Sequence, residues 1–162
     1  MTPIERNLDR LTRTVWGEAR GESDLGRLAV AWVCCNRATI AGRFVAAHGH
    51  PHPLYGDGTV AGACERSNVT RSGRCVWQFS CWDVADANCA PMLALDLDSE
   101  EAAPSLAMAR AALDQTAPDP TNGATHYHTA MPPRDGVEWP PSWAEDQRVV
   151  ATIGAHVFYR LG

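Results

Sequence analysis

The sequence predicts an α+β fold that is mostly helical, with a small antiparallel β-sheet, in a single catalytic domain over residues 1–162. The chain has 162 residues, of which 45% are hydrophobic, which is enough for one ordinary hydrophobic core. Apolar residues recur at helical spacing in the N-terminal part of the chain. Short runs with high strand propensity follow near the C-terminus.

Two helices are predicted in the N-terminal part. The first covers about residues 5–16, where apolar residues are spaced as on one helix face. The second should begin with Asp24 as its N-cap and end near Ile40. Its apolar residues recur at i, i+3, i+4, i+7 and i+8, so we expect it to be the central buried helix. These residues are Leu25, Leu28, Ala29, Trp32 and Val33.

The C-terminal half is predicted to contain one more helix and two strands. The helix spans about residues 99–116, with Ser99 as its cap and Pro104 in or near its first turn. Residues 125–129 and 156–160 are β-prone, and we expect them to pair as antiparallel strands.

Composition excludes several classes of function. The net charge is −5 and all 14 basic residues are arginine, so the chain lacks the basic surface that nucleic-acid binding requires. No run of 18 apolar residues is present, and we expect no membrane insertion. Residues 1–13 lack the apolar stretch of a secretory signal, so we expect synthesis in the cytoplasm and action on the wall after release. We also expect a monomer that needs no cofactor.

The six cysteines show no C-x-x-C spacing, which argues against a zinc ribbon or a thioredoxin-type site. Cys34 and Cys35 lie within the second predicted helix and are expected to be buried thiols. The other four lie within 26 residues of loop-rich sequence, in or directly after residues 42–88, a segment that lacks helical periodicity and is rich in Gly, Pro and His. Because loop-rich segments gain most from cross-links, we expect at least one disulfide there. Its candidates are Cys64, Cys75, Cys81 and Cys89.

Residues 16–22 (WGEARGE) place two carboxylates four residues apart at the start of the central helix. Desolvation by a neighbouring indole ring favours the protonated form of a carboxyl group. A general acid for a glycosidic oxygen needs that form near neutral pH. Alternatively, this is a solvated helix end in which Glu18 and Glu22 pair with Arg20 or Arg27.

Residues 77–82 (WQFSCW) alternate aromatic and polar side chains. Sugar sites combine flat rings, which pack on apolar sugar faces, with amides and hydroxyls, which bind ring substituents. The alternative is a half-buried strand whose Trp and Phe belong to the core.

Residues 123–128 (GATHYH) bring His126 and His128 to one face of a strand. Together with His156 on a neighbouring strand, they could form a three-histidine zinc site with a Glu as base. The alternative, which we favour, is a pair of hydrogen-bonding histidines that line a cleft.

Taken together and in this order, these segments resemble the cell wall hydrolase family of the SleB type, which includes spore-cortex-lytic enzymes. The resemblance covers about residues 10–160. It rests on six stretches, which are WGEARGE at 16–22, LAVA to NR at 28–37, QFSCW at 78–82, GATHYH at 123–128, PSW at 141–143 and IGAHVFYR at 153–160.

The resemblance implies a lysozyme-like, lytic-transglycosylase-like fold and cleavage of peptidoglycan glycan strands between N-acetylmuramic acid and N-acetylglucosamine. Glu18 matches the family's catalytic glutamate. The glycan groove is then expected to be lined by further side chains of the same segments, and no metal ligand is expected. The predicted substrate-binding residues are Glu22, Gln78, Phe79, Ser80, His126, Tyr127, His128 and Trp143.

The chain departs from the spore enzymes because it shows neither their peptidoglycan-binding repeats nor their export signal, and residues 47–73 look like an insertion. We therefore expect a stand-alone endolysin of a phage or gene-transfer agent. In the mechanism, Glu18 protonates the glycosidic oxygen. Either Glu22 then attacks as a nucleophile, or the sugar's 6-hydroxyl attacks C1 and an anhydro sugar forms. We expect Glu22 to turn away and pair with Arg20 or Arg27.

Two other functions fit parts of the sequence. The histidine cluster would suit a zinc-dependent peptidoglycan amidase or peptidase that uses His126, His128 and His156. A module that binds the wall without cutting it would also explain the aromatic segments.

Overall fold

A computed structural model of the chain describes residues 1–132, 136 and 138–161. Helix α1 spans Pro3–Ala19 and begins with a capping box, in which the Thr2 hydroxyl accepts from the Glu5 N–H and the Glu5 carboxylate accepts from the Thr2 N–H. The predicted first helix is thus confirmed and is longer at both ends.

Helix α2 spans Asp24–His48 and differs from the prediction at both ends. Its N-cap is Ser23, whose hydroxyl accepts from the Gly26 N–H, and not Asp24. The helix continues past Ile40 because Gly42 keeps helical geometry, and the first left-handed residue is Gly49, with φ 74°. As predicted, α2 is the central buried helix.

Three shorter α-helices follow in the described part of the chain. They are α3 (Val60–Cys64), α4 (Cys89–Ala94) and α5 (Ala103–Leu113). Helix α5 is the predicted third helix, with Pro104 in its first turn as expected, but its N-cap is Ala102 and not Ser99. Helices α1, α2 and α5 pack against one another, and α3 fits against α1 and α2.

The strands form two separate antiparallel sheets. Strands β1 (Ser67–Val69) and β2 (Cys75–Trp77) make a hairpin within the segment that lacked periodicity. Strands β3 (His126–Thr129), β4 (Val149–Ile153) and β5 (His156–Tyr159) form a sheet in the order β3-β5-β4. The pairing of β3 with β5 confirms the sequence prediction, whereas β4 was not predicted.

The core lies where α1, α2 and α5 meet the turn after β2 and the inner face of the three-stranded sheet. Residues 29–31, 33 and 34 of α2 are fully buried, as are Val15 of α1 and Phe158 of β5. Among the described residues, no helix has both the length and the hydropathy needed to cross a membrane.

The cysteine prediction is wrong in one respect. All six cysteines lie in the described part of the chain, and all six are free thiols. Cys64, Cys81 and Cys89 are buried on three different elements, whereas Cys75 is exposed on the β1–β2 hairpin. The loop-rich segment is instead held by side chains such as Phe79 and Trp82, which it places in the core.

We therefore expect six thiols to react when the protein is denatured without reductant, because the folded chain contains six free cysteines. Titration with a thiol-specific chromophore gives the count directly, with a pre-reduced sample as the control. A count of four or fewer would contradict this arrangement.

Candidate active site

The Glu18 carboxylate lies in the last turn of α1 and is held by two hydrogen bonds from distant segments. The backbone N–H of Cys81 donates to Oε1 at 3.0 Å, and the Tyr127 hydroxyl donates to Oε2 at 2.8 Å. Burial and the Glu18 carboxylate raise the pKa values of both the Tyr127 hydroxyl and the Cys81 thiol. The Tyr127 hydroxyl and the Cys81 thiol therefore stay protonated. The two hydrogen bonds hold the Glu18 carboxylate in one orientation.

Gly17 explains why the segment with Cys81 can approach α1 so closely. A Cβ at Gly17 would lie 2.6 Å from the Cys81 Cβ and 3.2 Å from the Met92 Sδ. One turn earlier in α1, the Thr14 hydroxyl accepts from the Trp82 indole N–H at 2.9 Å. The glycine of the WGEARGE motif thus permits the helix contact that brings a backbone donor to Glu18.

Trp16 does not take the role that the sequence suggested. Its side chain is buried in the core, and the Arg20 guanidinium lies 4.5 Å from the centre of its ring. Arg20 also donates to the Asn88 side chain at 2.6 Å, which fixes one rim of the site. Polar donors, rather than the indole ring, hold Glu18.

An open cleft of about 340 Å³ surrounds Glu18. Its walls come from the end of α1, the turn before α2, the turn before α4 and the inner face of the three-stranded sheet. They are formed by Gly17, Glu18, Ala19, Arg20, Gly21, Glu22, Asn88, Thr129 and His156.

Glu22 shares this cleft, but the predicted pairing with Arg20 or Arg27 is wrong. Its Oε2 accepts from the Ala155 N–H at 3.3 Å, and its Oε1 lies 3.8 Å from the His156 Nδ1. Arg27 instead pairs with Asp24, and Arg20 reaches Asn88. The turn between α1 and α2 directs Glu22 toward the β4–β5 turn.

The segment of residues 77–82 contributes differently from the prediction. Ser80 is exposed beside Cys81 but is not among the residues that line the cleft around Glu18, so its contact with the glycan stays a prediction. Phe79 is only 2% exposed and belongs to the core, so its predicted contact with sugar is wrong. Gln78 is half-buried, and its side-chain oxygen accepts from Arg37 at 3.4 Å.

Arg37 is a buried residue of this region that the sequence reasoning missed. Its guanidinium lies 4.7 Å from the centre of the Phe79 ring, and its Nε donates to the Thr125 carbonyl at 2.6 Å. It thereby ties α2 to the start of β3. The sequence offered one signal, an arginine in the middle of an apolar helix.

The histidines do not form the alternative three-histidine zinc site. The β3–β5 register pairs His126 with Tyr159, and Thr129 with His156. Because side chains alternate along a strand, His126 and His128 occupy one face of the sheet, and His156 occupies the other. The sequence predicted the shared face of the first two histidines correctly and the placement of His156 wrongly.

His128 is buried, and both of its ring nitrogens have hydrogen-bond partners. Its Nδ1 donates to the Thr129 carbonyl at 2.7 Å, so its Nε2 accepts from the Tyr159 hydroxyl at 2.8 Å. The predicted contact of His128 with the glycan is therefore wrong, because the ring holds β3 to β5.

His126 and Trp143 line a second, apolar cleft of about 500 Å³ on the face of the sheet opposite Tyr127. Their ring centres are 5.1 Å apart, and burial lowers the pKa of His126 to about 4. Of the predicted site residues, the structure thus brings Glu18, Glu22 and Tyr127 together. Gln78, His126 and Trp143 are not among the residues that line the cleft around Glu18.

Comparison with solved structures gives the same fold. The catalytic domain of the Bacillus cereus SleB protein is 22% identical, with a TM-score of 0.58, over 96% of this chain and 91% of that one. The catalytic domain of the germination-specific lytic transglycosylase SleB from Bacillus anthracis is 25% identical, with a TM-score of 0.57, over 96% of this chain and 95% of that one. A comparison with curated proteins finds no significant match.

The sequence also matches a family model, described as cell wall hydrolase, over residues 21–159. This range begins three residues after Glu18. It includes Glu22 and His156, which line the cleft, and Tyr127, which donates to Glu18. Because the match covers most of the chain and the solved relatives share its fold, this protein belongs to the cell wall hydrolase family.

Proposed function

We propose that this hydrolase cleaves the β-1,4 bond between N-acetylmuramic acid and N-acetylglucosamine as a lytic transglycosylase, with Glu18 as its acid and base. The observation that carries the proposal is the fixed Glu18 carboxylate in an open cleft, with a donor on each oxygen. The Bacillus anthracis relative, described as a lytic transglycosylase, supports the same reaction type.

In the first step, protonated Glu18 gives its proton to the glycosidic oxygen as the bond from that oxygen to C1 breaks. An oxocarbenium-like centre forms at C1. The Tyr127 hydroxyl and the Cys81 N–H are already in place to stabilise the carboxylate that this step leaves on Glu18. The protein therefore needs little reorganisation when the charge develops.

In the second step, the Glu18 carboxylate takes the proton of the muramoyl 6-hydroxyl, and O6 bonds to C1. The product is a 1,6-anhydro sugar, and Glu18 regains the proton that it lost. A hydrolase with a retaining mechanism would use a second carboxylate as its nucleophile. Glu22 is the neighbouring carboxylate, but its Oε2 is engaged by the Ala155 N–H, which favours the intramolecular route.

The products decide between the possible reactions. Purified peptidoglycan should be digested with the protein, and the new ends identified by mass spectrometry, with a Glu18→Gln digest as the control. Our proposal predicts 1,6-anhydromuramoyl ends. New reducing ends would identify a muramidase, free stem peptides an amidase or peptidase, and binding without products a wall-binding module.

Cleavage should also survive a metal chelator. The residues of the alternative zinc site are divided between two faces of one sheet, and both nitrogens of His128 are engaged. Turnover of purified peptidoglycan should therefore be equal with and without excess EDTA. Loss of activity in EDTA that zinc restores would contradict the proposal.

A further inference from the structure

The Glu22 carboxylate is built into the turn between β4 and β5. A Cβ at Gly154 would lie 2.1 Å from the Glu22 Oε2, and a Cβ at Gly26 would lie 2.8 Å from the Glu22 Cβ. Gly154 has a φ of 57°, and the next residue, Ala155, donates its N–H to the same carboxylate oxygen. The lack of a side chain at Gly26 and Gly154 thus leaves room for Glu22, and the Ala155 N–H binds its carboxylate.

His156, the first residue of β5, follows that turn directly, and its ring is enclosed. The side chain is 5% exposed, and the buried Nδ1 has no hydrogen-bond partner among the described residues. The carboxylate of Glu22 lies 3.8 Å from this nitrogen. Burial lowers the pKa of His156, and His128 lowers it further, whereas the charges of Glu22 and Glu18 raise it. Glu22 therefore places a carboxylate beside this ring nitrogen.

The His156 ring connects this anchor to the catalytic acid. It packs edge-on against the Tyr127 ring, with centres 5.0 Å apart and an interplanar angle of 77°. The hydroxyl of Tyr127 in turn donates to Glu18. A shift of the β4–β5 turn would move His156, and with it the ring that orients the acid.

We propose that Glu22 and His156 are positioning residues for the reaction, in which the Glu22 carboxylate anchors the β4–β5 turn and the turn sets His156 against Tyr127. This inference rests on the proposed function of Glu18. It assigns Glu22 neither to the glycan nor to nucleophilic attack. The Glu22 anchor affects the geometry of Glu18, so its loss should lower turnover more than substrate affinity.

The test compares Glu22→Gln with Asp24→Asn on soluble glycan strands. Both variants convert a carboxylate to an amide near the start of α2, but Asp24 is exposed and pairs with Arg27 outside the cleft. We expect kcat to fall about 10- to 100-fold in Glu22→Gln, with KM within about twofold of wild type and an unchanged product. Asp24→Asn should retain wild-type kinetics.

A second variant leaves every functional group in place. Gly154→Ala should lower kcat in the wild-type background, because its Cβ displaces the Glu22 carboxylate. In a Glu22→Ala background, where that contact is absent, Gly154→Ala should lower kcat by less than about twofold. Gly49→Ala is the matched control, since Gly49 also has a positive φ but has nothing within 4 Å of the added Cβ.

A readout independent of turnover separates this inference from the proposed function. The pKa of His156, measured by NMR on the folded protein, should fall in Glu22→Gln and stay constant in Asp24→Asn. A wild-type protein that cuts no glycan would refute the proposed function whatever His156 does. With an active wild type, an unchanged kcat or His156 pKa in Glu22→Gln, or a loss as complete as that of Glu18→Gln, would overturn the positioning role.

Discussion

Glu18→Gln should abolish glycan cleavage and leave the fold intact. The amide keeps the shape of the side chain, and its oxygen still accepts from the Cys81 N–H, but it has no acidic proton to give. General acid–base catalysis by one group contributes about 10²–10⁴-fold, and Glu18 serves in both steps, so we expect a loss of at least about 10³-fold. Release of soluble muropeptides from purified peptidoglycan measures it.

The control for this prediction is Glu101→Gln, which makes the same chemical change at an exposed position beyond the cleft. Both variants should unfold within a few degrees of wild type in calorimetry. If folded Glu18→Gln kept more than about a tenth of wild-type turnover, general acid catalysis by Glu18 would be refuted.

Gly17→Ala should both destabilise the protein and reduce its turnover. The added Cβ would meet the Cys81 Cβ at 2.6 Å, and neither atom is at the end of a flexible side chain. Overpacking costs about 1–3 kcal/mol, and the higher helix propensity of alanine offsets about 1 kcal/mol of it, so a net loss of up to about 2 kcal/mol is expected. Turnover should fall because the displaced Cys81 N–H holds Glu18.

Denaturant unfolding and the muropeptide assay test both parts of this prediction. Gly21→Ala is the matched control for stability, because a Cβ there has nothing within 4 Å. Its unfolding free energy should stay within about 0.5 kcal/mol of wild type. A Gly17→Ala protein as stable and as active as wild type would show that the close contact with Cys81 is unimportant.

The helical part of the fold was largely predictable, because burial of one helix face leaves a periodic signature in the sequence. The end of α2 was not, since Gly42 looks like a breaker but keeps helical geometry in this chain. Strand β4 was missed because its sequence, VVATI, does not alternate cleanly, and its register shifts between Val149 and Ala151. Edges of small sheets depend on a neighbour that sequence patterns do not reveal.

The candidate active site was predictable only in part. The motif around Glu18 and the family resemblance indicated Glu18, the proposed acid, and Tyr127. The partners of the two glutamates were not predictable, since Glu18 bonds residues 63 and 109 positions away and Glu22 bonds one 133 positions away. Because side chains alternate along a strand, the sequence alone predicted that His126 and His128 share one face. The face that His156 occupies could be predicted only with the β3–β5 register known.

The central claim is that Glu18 drives an intramolecular attack on C1, and it is tested most directly by digestion in water enriched in ¹⁸O. If the 6-hydroxyl is the nucleophile, no solvent oxygen enters the product, and the new muramoyl ends carry the anhydro mass without ¹⁸O. This is the result that we predict. New reducing ends that carry one ¹⁸O at C1 would show that water is the final nucleophile, and they would contradict the transglycosylase mechanism.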